Sequence, residues 1–146
     1  MNQQEVMEQL AGRSPLPALT PRDVYMPDLA ADIGDLPSSA LVKAGLHLLN
    51  DDLGRAHVIA QTLEGDATAD YWHAIIHRRE GDYGNARYWF ARTGPHPVLT
   101  EIHGDVGGAD RFVESCRVAR GKGDAALEEL QWREMLRLLE FSSQGK

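Results

Sequence analysis

The stretch "YWHAIIHRREGDYGNARYWFARTG", residues 71–94, decides how this chain is read. Two helix-compatible runs meet at Gly81-Asp82. A glycine just past a periodic run stops one helix, and an aspartate caps the start of the next. The stretch therefore reads as two helices joined by a tight turn, closing at Gly94. The turn has an echo. "AGLHLLNDDLGRA" (44–56) aligns without gaps on "AIIHRREGDYGNA" (74–86) at an offset of 30 residues. Ala44 matches Ala74, His47 matches His77, Asp52 matches Asp82, Gly54 matches Gly84 and Ala56 matches Ala86. Self-similarity at such a period marks stacked helical hairpins.

Helix signals continue outward from this pair. "SSALVKAGLHLLN" has Ser38 or Ser39 as N-cap, and "DDLGRAHVIAQTLEG" has Asp51 or Asp52 as cap and Gly65 as its stop. Upstream, the first ten residues fit a short amphipathic helix with Val6, Met7 and Leu10 on one side. Pro15, Pro17, Pro21, Pro27 and Pro37 then exclude long helices, because proline lacks a donor N–H and restricts its neighbour. Residues 1–37 are thus predicted as a helix and an extended, Pro-rich wrapping arm, with one helical turn around Pro27–Ile33. Residues 38–94 are predicted as two helical hairpins, 95–107 as a loop or single turn, and 108–142 as two C-terminal helices. No run shows the period-two alternation of a strand. The expectation is one all-α domain spanning 1–146.

"YWHAIIHRREGDYGNARYWFARTG" resembles a tetratricopeptide hairpin. Ala74, the Gly81-Asp82-Tyr83 turn, Ala86 and Phe90 stand where that motif has a small residue, its turn, a second small residue and an aromatic. Ala44, Asp51-Asp52-Leu53 and Ala56 repeat the pattern, with Ala60 in the aromatic position. The resemblance implies antiparallel helices stacked in an array. The stretch is also similar to a group of small uncharacterised proteins carrying YWH, HRRE and YWF in this order, which implies a shared site or shared packing.

The remaining composition narrows the functional classes. A chain of 146 residues, 42% hydrophobic and 25% charged, supports a packed globule. A net charge of −7 opposes non-specific nucleic-acid binding, which wants a basic surface. Cys116 is alone, so no intrachain disulfide forms, and its helical context suits a buried inert thiol. "MNQQEVMEQL" lacks the basic and apolar regions of a signal peptide, and no window reaches the length of a membrane span. The expectation is a cytoplasmic protein, monomeric or a small homo-oligomer, with no membrane or nucleic-acid partner.

Two constellations carry chemistry. On a helix over 69–80, Tyr71, Trp72, Ile75, Ile76 and Arg79 fall on an arc of about 140°, and Asp70, His73, His77 and Glu80 on an adjoining arc of about 80°. His73, His77 and Glu80 are spaced i, i+4, i+7 and can converge on a divalent metal such as zinc, manganese, nickel or iron. His47 or His96 is a candidate further ligand. A metal there makes a hydrolytic enzyme one reading, with a metal-bound water as nucleophile. Packing is the competing account, with His77, and His47 one hairpin earlier, as hydrogen-bonded core imidazoles. The second constellation is cationic and aromatic. Trp72, Arg78, Arg79, Tyr88 and Arg92 are expected to line a groove for a small anion or acidic peptide. A buried Arg79 instead requires a carboxylate; Asp70, Glu80 and Asp82 are local candidates, and Asp28, Asp32 and Asp35 distant ones.

Overall fold

A computed structural model describes residues 1–120 and 122–144, and among them every regular element is helical. The helices are α1 (Gln3–Ala11), α2 (Leu29–Asp35), α3 (Ala40–Leu49), α4 (Leu53–Thr62), α5 (Ala67–Glu80), α6 (Tyr83–Thr93), α7 (Pro97–His103), α8 (Val106–Val118) and α9 (Ala125–Ser143). Local chemistry explains their starts. The side chains of Asn2, Ser39, Asp52, Asp66, Asp82, Asp105 and Asp124 each accept from a backbone N–H of the first turn. Consecutive helices pack along the chain from α3 to α6, while α8 lies on α6 and α9 closes against α3 and α7.

The two aligned turns are the same structure. After α5, the Gly81 and Asp82 N–H groups donate to the carbonyls of Arg78 and His77 at 3.1 and 2.9 Å. After α3, the Asp51 and Asp52 N–H groups donate to Leu48 and His47 at 3.0 and 2.9 Å. Each is a paired helix stop with its pivot residue in the left-handed region, at φ 84° for Gly81 and 59° for Asp51. Asp52 and Asp82 then cap the next helix in the same way, accepting from Arg55 and Asn85. An aspartate in a left-handed conformation is strained relative to glycine, so Asp51 needs a compensating role.

Residues 95–107 differ from the predicted loop, because they contain α7. "GPHP" looks like a breaker, yet His96 caps the helix by accepting from the Val98 N–H, and Pro97 sits in the first turn, where its missing donor is not needed. The final helical pair accordingly begins at Val106 rather than 108. Helix α2 likewise extends to Asp35, past the single turn expected.

One main core joins the helices, and α5 runs through it. Every residue from Thr68 to Arg79 is buried. Trp72 lies against Gly45, where a Cβ would sit 2.6 Å from its ring; a side chain there would push the indole away. The indole N–H donates to Ser142 of α9. A smaller cluster joins Leu19, from the irregular segment 12–28, to Phe112 and Cys116 of α8. Burial pushes the Cys116 thiol pKa up, which disfavours the reactive thiolate.

Candidate metal centre

An α-helix buried all round is ordinarily apolar. Helix α5 is not, so each of its polar side chains needs a partner inside the protein. Those partners sort into two kinds of site.

The arginines are consumed by ion pairs. Arg79 is fully buried and donates to Asp51 Oδ1 at 2.7 Å, to the Leu48 carbonyl at 2.9 Å and to the Ala18 carbonyl at 3.2 Å. Arg13 donates to the other oxygen of Asp51 at 2.9 Å. This is the role that offsets strain at Asp51, and none of the six acids proposed from sequence supplies it. Arg78 donates to Glu134 Oε1 at 2.8 Å. Glu134 Oε2 lies 2.7 Å from His103 Nε2 and accepts from the Tyr71 hydroxyl at 2.8 Å. Burial alone would raise the Glu134 pKa, but Arg78 and His103 bring it down to about 2. Helices α5, α7 and α9 meet at this carboxylate.

The expected anion groove therefore takes no single form. Trp72, Arg78 and Arg79 are sealed in the interior and bonded there, closed to a ligand from solvent. Tyr88 is exposed, and Arg92 donates to its hydroxyl at 3.0 Å.

The imidazoles are arranged differently. His73 and His77, one turn apart on α5, stack with ring centroids 4.8 Å apart. His57 of α4 meets both edge-on, at 4.8 Å from His73 and 5.4 Å from His77. One ligating atom from each of the three lies within 4.8 Å of the others. Ligands about 2.0–2.1 Å from a tetrahedral zinc stand about 3.3 Å apart, and the His57 and His73 Nε2 atoms are 3.1 Å apart. Trp89 of α6 stacks on His73 at 3.9 Å and helps hold its ring in place.

Glu80 takes a different place from the one expected of it. Its Oε1 lies 2.9 Å from His77 Nδ1, with Asp82 Oδ2 at 3.9 Å from the same nitrogen. A carboxylate on one imidazole nitrogen leaves the other as the ligand, fixes the tautomer and raises its basicity. Glu80 thus stands behind His77, and the third imidazole of the cluster is His57. His47 and His96 lie elsewhere: His96 bonds Thr68 and the α7 backbone, and His47 is a buried imidazole whose Nδ1 has no partner.

The His57 and His73 Nε2 atoms face each other, and a single N–H between them satisfies both nitrogens. His73 Nδ1 is buried without a partner, so it lacks the outer contact that Glu80 gives His77. Burial, and then His77 and His57, lower the His73 pKa to about 4, so the ring stays neutral and able to ligate well below pH 7.

The chain matches no known family model, curated protein or solved structure. Among the described residues, no helix is long and apolar enough to cross a membrane.

His57 was legible in principle. Leu53, Ala56, His57 and Ala60 fall within about 100° on a helical wheel, the arc α4 turns inward. The 13-residue echo stops at Ala56, one residue short of it.

Proposed function

We propose that the protein is a metal-binding module in which His57, His73 and His77 hold one divalent transition-metal ion on a scaffold of tetratricopeptide-like hairpins. The convergence of three imidazoles from two helices within 4.8 Å carries the reading. The Glu80–His77 contact supports it, because a carboxylate behind a histidine is the usual outer partner of a metal ligand. The repeated capped turns at 47–56 and 77–86 support the hairpin scaffold. An all-nitrogen set suits zinc, nickel or iron, and moves manganese, which prefers oxygen donors, down the order.

Three protein ligands leave a coordination position free, and this favours a hydrolytic reading as the second possibility. A metal bound there supplies a Lewis acid and a water acidified toward neutral pH. The chain's own part is positional: Trp89 and His77 fix the His73 ring, and Glu80 fixes His77.

Equilibrium dialysis against zinc, nickel and iron, with metal quantified per chain, tests the proposal. The expected result is one ion per chain for the wild type and none retained by His77→Ala. Absence of metal on the wild type sinks it.

A further inference from the structure

Helix α4 is more lightly anchored than the helices it touches. Its buried side chains are two alanines, Ala56 and Ala60, and Leu53 is partly buried against the core. Val58, in its middle, is exposed. The neighbouring α3 buries Val42, Leu46, Leu48 and Leu49, and α5 is buried along almost its whole length. Methyl groups remove little apolar surface from water, so the α4–α5 contact gains little from burial.

His57 is the side chain by which α4 reaches the polar arc of α5. Without an ion, that link is a 3.1 Å contact with His73 and an edge-on ring contact with His77. With an ion, it becomes coordination from both helices to a common centre. The turn into α4 is held separately, by the Asp52 N–H to the His47 carbonyl and by the Asp52 cap. What the ion governs is therefore the half of α4 from His57 onward, which leads into the 63–66 connection.

We infer that metal occupancy fixes α4 on α5, so that the ion staples the first helical hairpin to the second and controls the order of residues 57–62. This deepens the metal reading above and rests on it. Ligand atoms contributed by two elements couple binding to their docking, as in other sites where metal binding and folding are linked.

Amide hydrogen exchange of the full-length protein, with equimolar zinc sulfate or with EDTA, tests the inference, with bound zinc counted in parallel. Zinc is expected to slow exchange at 57–62 roughly tenfold or more and to leave α8 and α9 unchanged. His57→Ala keeps the His73–His77 pair on α5 and is expected to lose the zinc response at 58–62. One zinc per chain with unchanged exchange at 57–62 overturns the staple and leaves the metal reading standing. A zinc response that survives in His57→Ala also overturns the staple. No zinc on the wild type overturns both.

Discussion

The arginines and the histidines of α5 meet the same burial in opposite ways. Arg78 and Arg79 meet carboxylates, and each charge is answered by an opposite one inside the fold, although Arg78 Nε and Nη1 and Arg79 Nε have no hydrogen-bond partner. His73 and His77 meet a third imidazole, and His73 Nδ1 has no partner either. A guanidinium offers only donors, and here its charge is already matched by a carboxylate. An imidazole can present a lone pair to a metal, and that difference separates a structural network from a candidate site. Guanidinium clusters look like ligand clamps in a sequence, but here Arg78 ties α5 to α9 and Arg79 ties α5 to the turn after α3.

The comparison breaks most visibly at Glu134. Glu134→Ala leaves Arg78 and His103 buried without their carboxylate and is expected to destabilise the fold by about 3–5 kcal/mol in urea denaturation. Arg79→Ala is expected to lose less, because Asp51 keeps Arg13 as a partner. Neither change should alter zinc stoichiometry while the protein remains folded. Loss of zinc binding in a folded Arg79→Ala would merge the arginine and histidine sets into one functional unit.

His77→Ala should behave in the reverse manner, with a stability loss of about 1–2 kcal/mol, typical of a single buried substitution, and complete loss of zinc-induced stabilisation. The wild type should gain about 2.7 kcal/mol when free zinc is a hundredfold above its dissociation constant. A His77 variant that unfolds as readily as the Glu134 variant, in a wild type that zinc does not stabilise, would return the imidazoles to the packing account. Glu80→Gln sharpens the contrast further. It keeps a hydrogen-bonding group behind His77 but removes the charge, and zinc affinity should fall about 10–100-fold with little change in stability.

How far the sequence reached follows from the range of each interaction. Caps and turns are local, so Ser39, Asp52, Asp82 and the 30-residue echo were readable, as was the single arc carrying His73 and His77. Asp51 as partner of Arg79, His57 as partner of His73 and Glu134 as partner of Arg78 join residues 28, 16 and 56 positions apart. No periodicity encodes such pairings. A helical wheel shows which α5 residues share an arc and not what covers that arc. With α4, α6 and α3 packed around the helix, the polar arc lies inside. Helix α7 was hidden for a local reason: its cap is an imidazole nitrogen, outside the usual set of capping oxygens.

The smallest expected effect comes from the buried imidazoles of α3 and the α7 cap, which belong to neither set. Burial lowers the pKa of His96, offset in part by Asp66, and that of His47, offset in part by Asp52. As pH falls, the unfolded chain takes up their protons before the fold does, near the ordinary value of 6.5. Their contribution is thus present in full above 6.5 and is lost as pH falls below it, at up to about 1.4 kcal/mol per pH unit for each group. In a metal-free sample His73 adds to the same decline. Glu134 responds in a different window. Its lowered pKa gives stability that is complete above the ordinary carboxylate value of 4.5 and lost as pH falls toward about 2. Urea denaturation from pH 8 to 3 should therefore show a decline that begins below pH 6.5 and steepens below pH 4.5. His96→Asn keeps a capping side chain on α7 without a titrating ring, so it should shrink the decline below pH 6.5 by one proton's share and leave the carboxylate decline in place. An unchanged slope in that variant would mean that His96 does not stay neutral in the fold, and that its bond to Thr68 tolerates a charged ring.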